Sequence, residues 1–166
     1  LRLVSVGSKY KNDVVSLKSV SGGYLYQERD TLSNELDNMM IVTNRKPTEH
    51  ENISMNLGWK LVRHVKSNAI VLANNNQLIG VGAGQMARID SVKIAIQKVS
   101  DNGLDLDGCI MASDAFFPFS DSLEVAAESG ITAIIQPGGS IKDDKLIKKA
   151  NDLGIVMAFT GKRHFL

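Results

Sequence analysis

From Gly108 onward the chain alternates short apolar runs with helical patterns, and this constrains the fold more than any other feature. Gly108-Cys109-Ile110-Met111-Ala112, residues 131–135 and residues 155–159 read as buried strands. The stretches between them, 121–129 and 142–152, carry helical spacing. Strands that alternate with helices pair in parallel through right-handed crossovers. Upstream, Thr48 and Glu51 form a capping box that predicts a helix start. Ile53, Leu57, Leu61 and Val65 follow at four-residue spacing as its apolar face. Residues 69–73 and 77–81 flank Asn74-Asn75-Asn76 and predict a hairpin. Met86, Ile89, Val92, Ile96 and Val99 line the next helix. The expected architecture is α/β: three layers, α/β/α, with a mostly parallel sheet and one antiparallel edge hairpin. Residues 1–45 are less regular, with a strand near Val20 to Tyr26 and a short helix near Leu32 to Leu36. That segment is expected to lean on sequence preceding Leu1, and residues 46–166 to form the main unit.

At 166 residues the chain can bury one full core. Its net charge of +1 gives no sign of a polyanion-binding tail, and it has no dense basic run for nucleic acid. No apolar stretch reaches membrane-spanning length, and no signal peptide is visible. Leu1 is not a start methionine, so an upstream segment is expected. The lone Cys109 lies in an apolar run and reads as a buried thiol of a cytoplasmic protein.

Three unusual phrases follow the three predicted strands: Ser113-Asp114-Ala115-Phe116-Phe117-Pro118-Phe119, Gln136-Pro137-Gly138-Gly139-Ser140, and Thr160-Gly161-Lys162-Arg163-His164-Phe165. Parallel sheets place ligands at their strand ends, so three such loops predict one shared pocket. Phe116, Phe117 and Phe119 read either as core or as a wall for a planar heterocycle. Asp114 reads as a helix cap or as part of that site. Gly80-Val81-Gly82-Ala83-Gly84 reads either as a tight strand-to-helix turn or as an anion cradle. Its spacing is not that of a dinucleotide fingerprint. Arg88, in the first turn of the following helix, is either a surface residue or a two-pronged partner for phosphate or carboxylate. Ser67-Asn68 is either a helix C-cap or a ligand contact. Asp101, Asp105 and Asp107 lack the spacing of a calcium loop and read as a solvated turn. His50 and His64 read as surface residues, and His164 stays open.

Taken with Lys66-Ser67-Asn68-Ala69-Ile70-Val71, with residues 79–90 (Ile-Gly-Val-Gly-Ala-Gly-Gln-Met-Ala-Arg-Ile-Asp), and with Ser19-Val20-Ser21-Gly22-Gly23 before Gln27-Glu28-Arg29-Asp30, these phrases resemble a known family. It is that of the bifunctional purine biosynthesis enzyme, aminoimidazole carboxamide ribonucleotide (AICAR) formyltransferase fused to inosine monophosphate (IMP) cyclohydrolase. The resemblance covers nearly the whole chain and places it in the C-terminal part of the formyltransferase domain. It implies a cytidine-deaminase-like fold, which the order of elements also resembles. Zinc deaminases use H-x-E and P-C-x-x-C. Asp114-Ala115-Phe116 and Pro137-Gly138-Gly139-Ser140 stand in those places, so no zinc is expected.

The resemblance further implies formyl transfer from 10-formyltetrahydrofolate to AICAR in IMP biosynthesis, by a cytoplasmic homodimer. Asn68, Arg88, Phe116 and Arg163 match AICAR-contacting positions. Ile89, Pro118 and Phe119 match positions beside the folate. Ser67 and Asp114 match a potassium site, next to which Lys66 stands here. The family's proton-transfer pair is a Lys-His in a Lys-His-x-Asn-Pro phrase, expected upstream. No Lys-His dipeptide occurs in this chain, where Arg63-His64 has no following Asn-Pro. The expectation is therefore a fragment that binds substrate and is inactive alone, with no cyclohydrolase domain. Two alternatives are a non-catalytic nucleotide-binding module of the same fold and a dinucleotide-dependent oxidoreductase, against which the glycine spacing argues.

Overall fold

The computed structural model describes residues 2, 4–5, 15–30, 36, 39–75 and 77–164. The chain divides into two compact units, residues 1–33 and 34–166. In the first, β1 (Val15–Val20) and β2 (Gly23–Glu28) form an antiparallel hairpin in which Leu17 faces Tyr26 and Val20 faces Gly23. A single strand was expected over Val20 to Tyr26. The turn falls instead at Ser21-Gly22, where Gly22 takes φ +84°, a conformation that glycine adopts without strain. The short helix expected near Leu32 to Leu36 lies outside the described residues except for Leu36.

The second unit is built on a six-stranded sheet in the order β3-β8-β7-β6-β4-β5. Its strands are β3 (Met40–Ile41), β4 (Ile70–Asn74), β5 (Gln77–Gly82), β6 (Ile110–Ser113), β7 (Ala133–Gln136) and β8 (Val156–Phe159). Its helices are α1 (Glu49–Val62), α2 (Arg88–Asp101), α3 (Asp121–Glu128) and α4 (Asp143–Asp152). The sheet is mixed rather than mostly parallel. β6, β7 and β8 are parallel, but β3–β8, β4–β6 and β4–β5 are antiparallel. The reason is positional. The α2 crossover does leave β6 running in the same direction as β5, as the alternation rule requires. However, β4 is inserted between them and runs the other way.

Alternate strand residues feed two cores. Ile70, Leu72, Met111, Ile134 and Met157 join one that includes Val92 and Val99 of α2, Leu123 of α3 and Leu146 of α4. Val71, Ala73, Ala112, Ile135 and Ala158 join the other, with Met55, Trp59 and Val62 of α1. This period of two is what a sheet buried on both faces requires.

The capping box of α1 is present in both halves. Glu51 N–H donates to Thr48 Oγ1 at 3.1 Å, and Thr48 N–H donates to Glu51 Oε2 at 2.8 Å. The buried stripe of α1 is not the expected one, for Ile53 is exposed and Met55, Gly58, Trp59 and Val62 face the sheet. Gly58 sets that orientation. A Cβ there would stand 2.8 Å from Ile110 Cδ1 and 3.1 Å from the Ala112 methyl, so the helix lies against the sheet at its one bare position. Similarly, α2 buries Arg88, Ser91, Val92, Ala95 and Val99, while Met86 lies outside the helix and is fully exposed.

Candidate functional site

The sheet register brings the important loops to one end. Ile70, the first residue of β4, faces both Ser113 at the end of β6 and Gly82 at the end of β5. Gln136 and Phe159, the last residues of β7 and β8, face each other. The start of β4 and the C-terminal ends of four other strands therefore share an edge.

Gly80 and Gly82 are packing glycines inside β5, not a cradle. A Cβ on Gly82 would fall 1.8 Å from the Ser91 carbonyl oxygen, and one on Gly80 2.6 Å from that of Ala95. Their bareness lets α2 lie directly on β5. The consequence is the height of the first turn of α2, which carries Arg88 to the strand ends.

Arg88 is buried, and its guanidinium makes three hydrogen bonds to the protein. Its Nη1 donates to Asp114 Oδ1, and to Ser113 Oγ at 3.0 Å; its Nη2 donates to Asn68 Oδ1 at 2.8 Å. Ser67 Oγ donates to the other oxygen of Asp114, which is 1% exposed. Asn68 in turn donates from Nδ2 to the carbonyls of Gln85, at 2.8 Å, and Met86, at 3.2 Å. Its own carbonyl accepts from Ser91 Oγ at 2.7 Å. Asn68 is no helix C-cap: α1 ends at Val62 with Arg63 as its C-cap, and Asn68 has no positive φ. It is the clasp between the β4 start, the 83–87 loop and Arg88.

Ser67 and Asp114, expected as a potassium site, offer hard oxygen donors. Here the two bond to each other while Arg88 balances the carboxylate. Such ions take many oxygen ligands, and these two side chains do not by themselves fit that need.

Beside this clasp opens a cavity of about 490 Å³, lined among others by Asn68, Arg88, Ile89, Phe116, Pro118, Phe119 and Arg163. All seven residues expected to contact a substrate or folate thus border one space. Arg163 is exposed, and its guanidinium carbon lies 4.6 Å from the centre of the Phe116 ring. Among the described residues it makes no ion pair, so its charge faces the cavity.

The three phenylalanines divide. Phe117 is core, Phe116 is half-buried at the cavity, and Phe119 is 58% exposed on its rim. Gln136 enforces this split. Its Oε1 accepts from Phe117 N–H at 3.0 Å and its Nε2 reaches Met157 Sδ at 3.3 Å, both buried. Contrary to the expectation of a pocket shared by all three loops, the 136–140 phrase does not line the cavity; Gln136 holds the segment that does.

His164 is also no cavity residue. It is buried, its ring lies 4.5 Å from that of Trp59, and its N–H donates to the Asp114 carbonyl at 2.9 Å. These contacts pin the loop that presents Arg163. His50 and His64 are exposed. Cys109 is buried, and desolvation, followed by the charges of Asp105 and Asp107, pushes its thiol up to about 11. Met86, Ala87, Ala115, Asp121 and Ser122 complete the lining, and of these Asp121 and Ser122 lie outside the motifs quoted above.

A family model described as "AICARFT/IMPCHase bienzyme" matches residues 1–98, more than half of the chain. The chain is 55% identical over 166 residues to the bifunctional purine biosynthesis protein PurH of Bacillus cytotoxicus, covering 99% of this chain and 32% of that protein. It is 57% identical over 151 residues to the PurH protein of Enterococcus faecalis, covering 91% and 29%. The chain thus spans about a third of the length of the curated relatives it matches. These shares measure extent, and the expected C-terminal position does not follow from them. Among solved structures, a cyanophage S-TIM5 dCMP deaminase aligns with 63% of this chain and 91% of its own, at TM-score 0.45 and 15% identity. A likeness of that degree assigns neither a site nor a reaction.

Proposed function

The chain belongs to the AICARFT/IMPCHase bienzyme family, and from that premise we propose that it supplies the substrate wall of an AICAR formyltransferase. The observation that carries this reading is the convergence of Asn68, Arg88, Ile89, Phe116, Pro118, Phe119 and Arg163 on one cavity of about 490 Å³. That volume suits a ligand of nucleotide or pterin size.

In this reading Arg163 meets the phosphate of AICAR, because a guanidinium matches phosphate oxygens in a two-pronged geometry. Phe116 stacks on the imidazole ring. Arg88, with its charge balanced by Asp114, acts as an oriented donor rather than as a free cation. Asn68 spends both amide hydrogens on backbone carbonyls, so its contribution is to hold Arg88 and the 83–87 loop in place. Ile89, Pro118 and Phe119 form the apolar side, where the folate ring lies. The transfer itself makes a bond from the 5-amino nitrogen of AICAR to the formyl carbon and breaks the bond from that carbon to N10 of the folate. A proton leaves the amine and arrives at N10. Among the described residues no histidine or lysine lines the cavity to carry it. General acid/base groups contribute factors of about 10²–10⁴, so the isolated chain binds and does not turn over. The complete protein, on this reading, is a cytoplasmic homodimer that also closes the ring to IMP.

Calorimetric titration of the chain with AICAR, with folic acid and with both tests this. Binding of both ligands, with turnover of 10-formyltetrahydrofolate only in the complete protein, is the expected result. AICAR binding without any folate binding would favour the non-catalytic nucleotide module, and full turnover by the chain alone would overturn the fragment reading.

A further inference from the structure

The cavity and the anchor of its free arginine lie on different faces of the sheet. Ile89 of α2 and Ser122 of α3 border the cavity, and Val92 and Leu123 of those helices enter the first core. Trp59 of α1 enters the other core, across the sheet. His164 bridges the two sides at the strand ends. Its ring and that of Trp59 are both buried, with centres 4.5 Å apart and planes inclined at 49°.

The chain that follows β8 is tied down before and after Arg163. Thr160 N–H donates to the Gln136 carbonyl at 3.0 Å, and Gly161 N–H donates to that of Pro137 at 2.9 Å. His164 N–H donates to the Asp114 carbonyl at 2.9 Å. These bonds fix the path of the backbone. They do not decide which of two neighbouring side chains turns inward. Arg163 is exposed and His164 is 1% exposed, so the two leave the chain on opposite sides. A guanidinium stays charged and is costly to take out of water, which disfavours the reverse arrangement against Trp59. Burial of the imidazole thus turns the guanidinium outward, where its carbon stands 4.6 Å from the centre of the Phe116 ring.

We propose that His164 is a positioning residue for the phosphate of AICAR. Held by Trp59 from the far face of the sheet, it sets the direction from which Arg163 meets the ligand. The proposal rests on the reading of Arg163 given above and adds what makes that arginine ready before the ligand arrives. Ordering a long side chain and its loop on binding costs affinity, and a loop already fixed avoids that cost. His164 does not line the cavity, so its influence passes through Arg163.

The test is a double-mutant cycle read by calorimetric titration with AICAR and with folic acid. It uses the full chain and its His164→Ala, Arg163→Ala and R163A/H164A variants, each checked for folding by circular dichroism. His164→Ala should weaken AICAR binding on the order of tenfold and leave folic acid binding as in the parent. His164→Phe, which keeps a flat ring against Trp59, should recover most of the loss. In the Arg163→Ala background, removing His164 should cost nothing further, because residues that act as one unit are not additive. If His164→Ala does not fold, His164→Val fills more of the space and the cycle is read from it. Equal losses for both ligands, a loss that persists without Arg163, or a Phe variant no better than Ala would overturn the positioning role and leave the phosphate reading intact. An Arg163→Ala chain that binds AICAR as the parent does would sink both.

Discussion

Two arginines border the same cavity and are held in opposite ways. Arg88 is buried, paired with Asp114 and fixed by Ser113 and Asn68. Arg163 is exposed, and its contact is the face of Phe116. A buried ion pair organises structure, because each charge is costly without the other. An exposed guanidinium over an aromatic ring is preorganised by that ring yet keeps its donors for a ligand. The sequence makes the two look equivalent, one arginine per motif. The structure separates them into a buried, paired residue and an exposed one on the cavity wall.

The first way to break this contrast is to remove Arg88. Arg88→Ala leaves the Asp114 carboxylate buried beside Ser67 with no counter-charge, so stability should fall by about 3–5 kcal/mol. Urea denaturation reads this directly, and Asp114→Ala should cost a similar amount. A loss below about 1 kcal/mol would mean that water already reaches the pair. Arg163→Ala should do the reverse. Stability should stay within about 0.5 kcal/mol, while AICAR affinity drops by about 1.5–3 kcal/mol, the range for a charge-assisted hydrogen bond. An unchanged affinity would remove Arg163 from the proposed phosphate site.

How much of this was legible depends on whether the signal was local. The capping box at Thr48 and Glu51 is a matter of four residues, and it appears as read. The strands at 110–113, 133–136 and 156–159 announce themselves by apolar runs and were placed to within two residues. The pairing of β4 between β5 and β6 was not legible, since direction follows from a crossover but adjacency does not. The face of α1 was misread because a glycine carries no hydrophobic signal, yet Gly58 decides which side meets the sheet. The seven cavity residues were found through resemblance, and the sheet register explains why they meet. Their internal bonds were invisible: Arg88 and Asp114 are 26 positions apart, and no spacing rule links them.

A third pair sharpens the contrast at intermediate burial. Glu51 is buried while the side chain of Arg45 is 38% exposed, and Arg45 also donates to the carbonyls of Thr132 and Gly154. Burial alone would raise the Glu51 carboxyl, but hydrogen bonds from Arg45, Thr48 and the Thr132 region and the Arg45 charge outweigh it and hold it down at about 2. Its folded value lies below its unfolded one. The stability it adds is therefore fully present above about pH 4.5 and is lost as pH falls through about 2. Glu51→Gln should cost about 1–2 kcal/mol at neutral pH, less than the Arg88 pair because solvent screens Arg45. The gap between variant and parent should close between pH 4.5 and 2 in pH-dependent denaturation. A constant gap across that range would assign the loss to packing instead of charge.

The smallest effect belongs to the surface. Lys149 and Glu124 meet at 2.7 Å between α4 and α3, as short as many buried contacts. Each lowers the cost of the other's charge: hydrogen bonding and attraction to Lys149 hold the Glu124 carboxyl below its usual range, and Glu124 raises the Lys149 ammonium. Yet both side chains are more than a third exposed. In water each charge is already solvated, and holding two long side chains in one geometry costs rotamer freedom that the pairing must first offset. Lys149→Gln should leave the urea midpoint unchanged, at low salt and at high salt alike. A midpoint that drops at low salt and recovers as salt is added to both proteins would show that the pair works as the buried one does. Distance would then be the deciding variable, where the comparison of Arg88 with Arg163 makes it exposure.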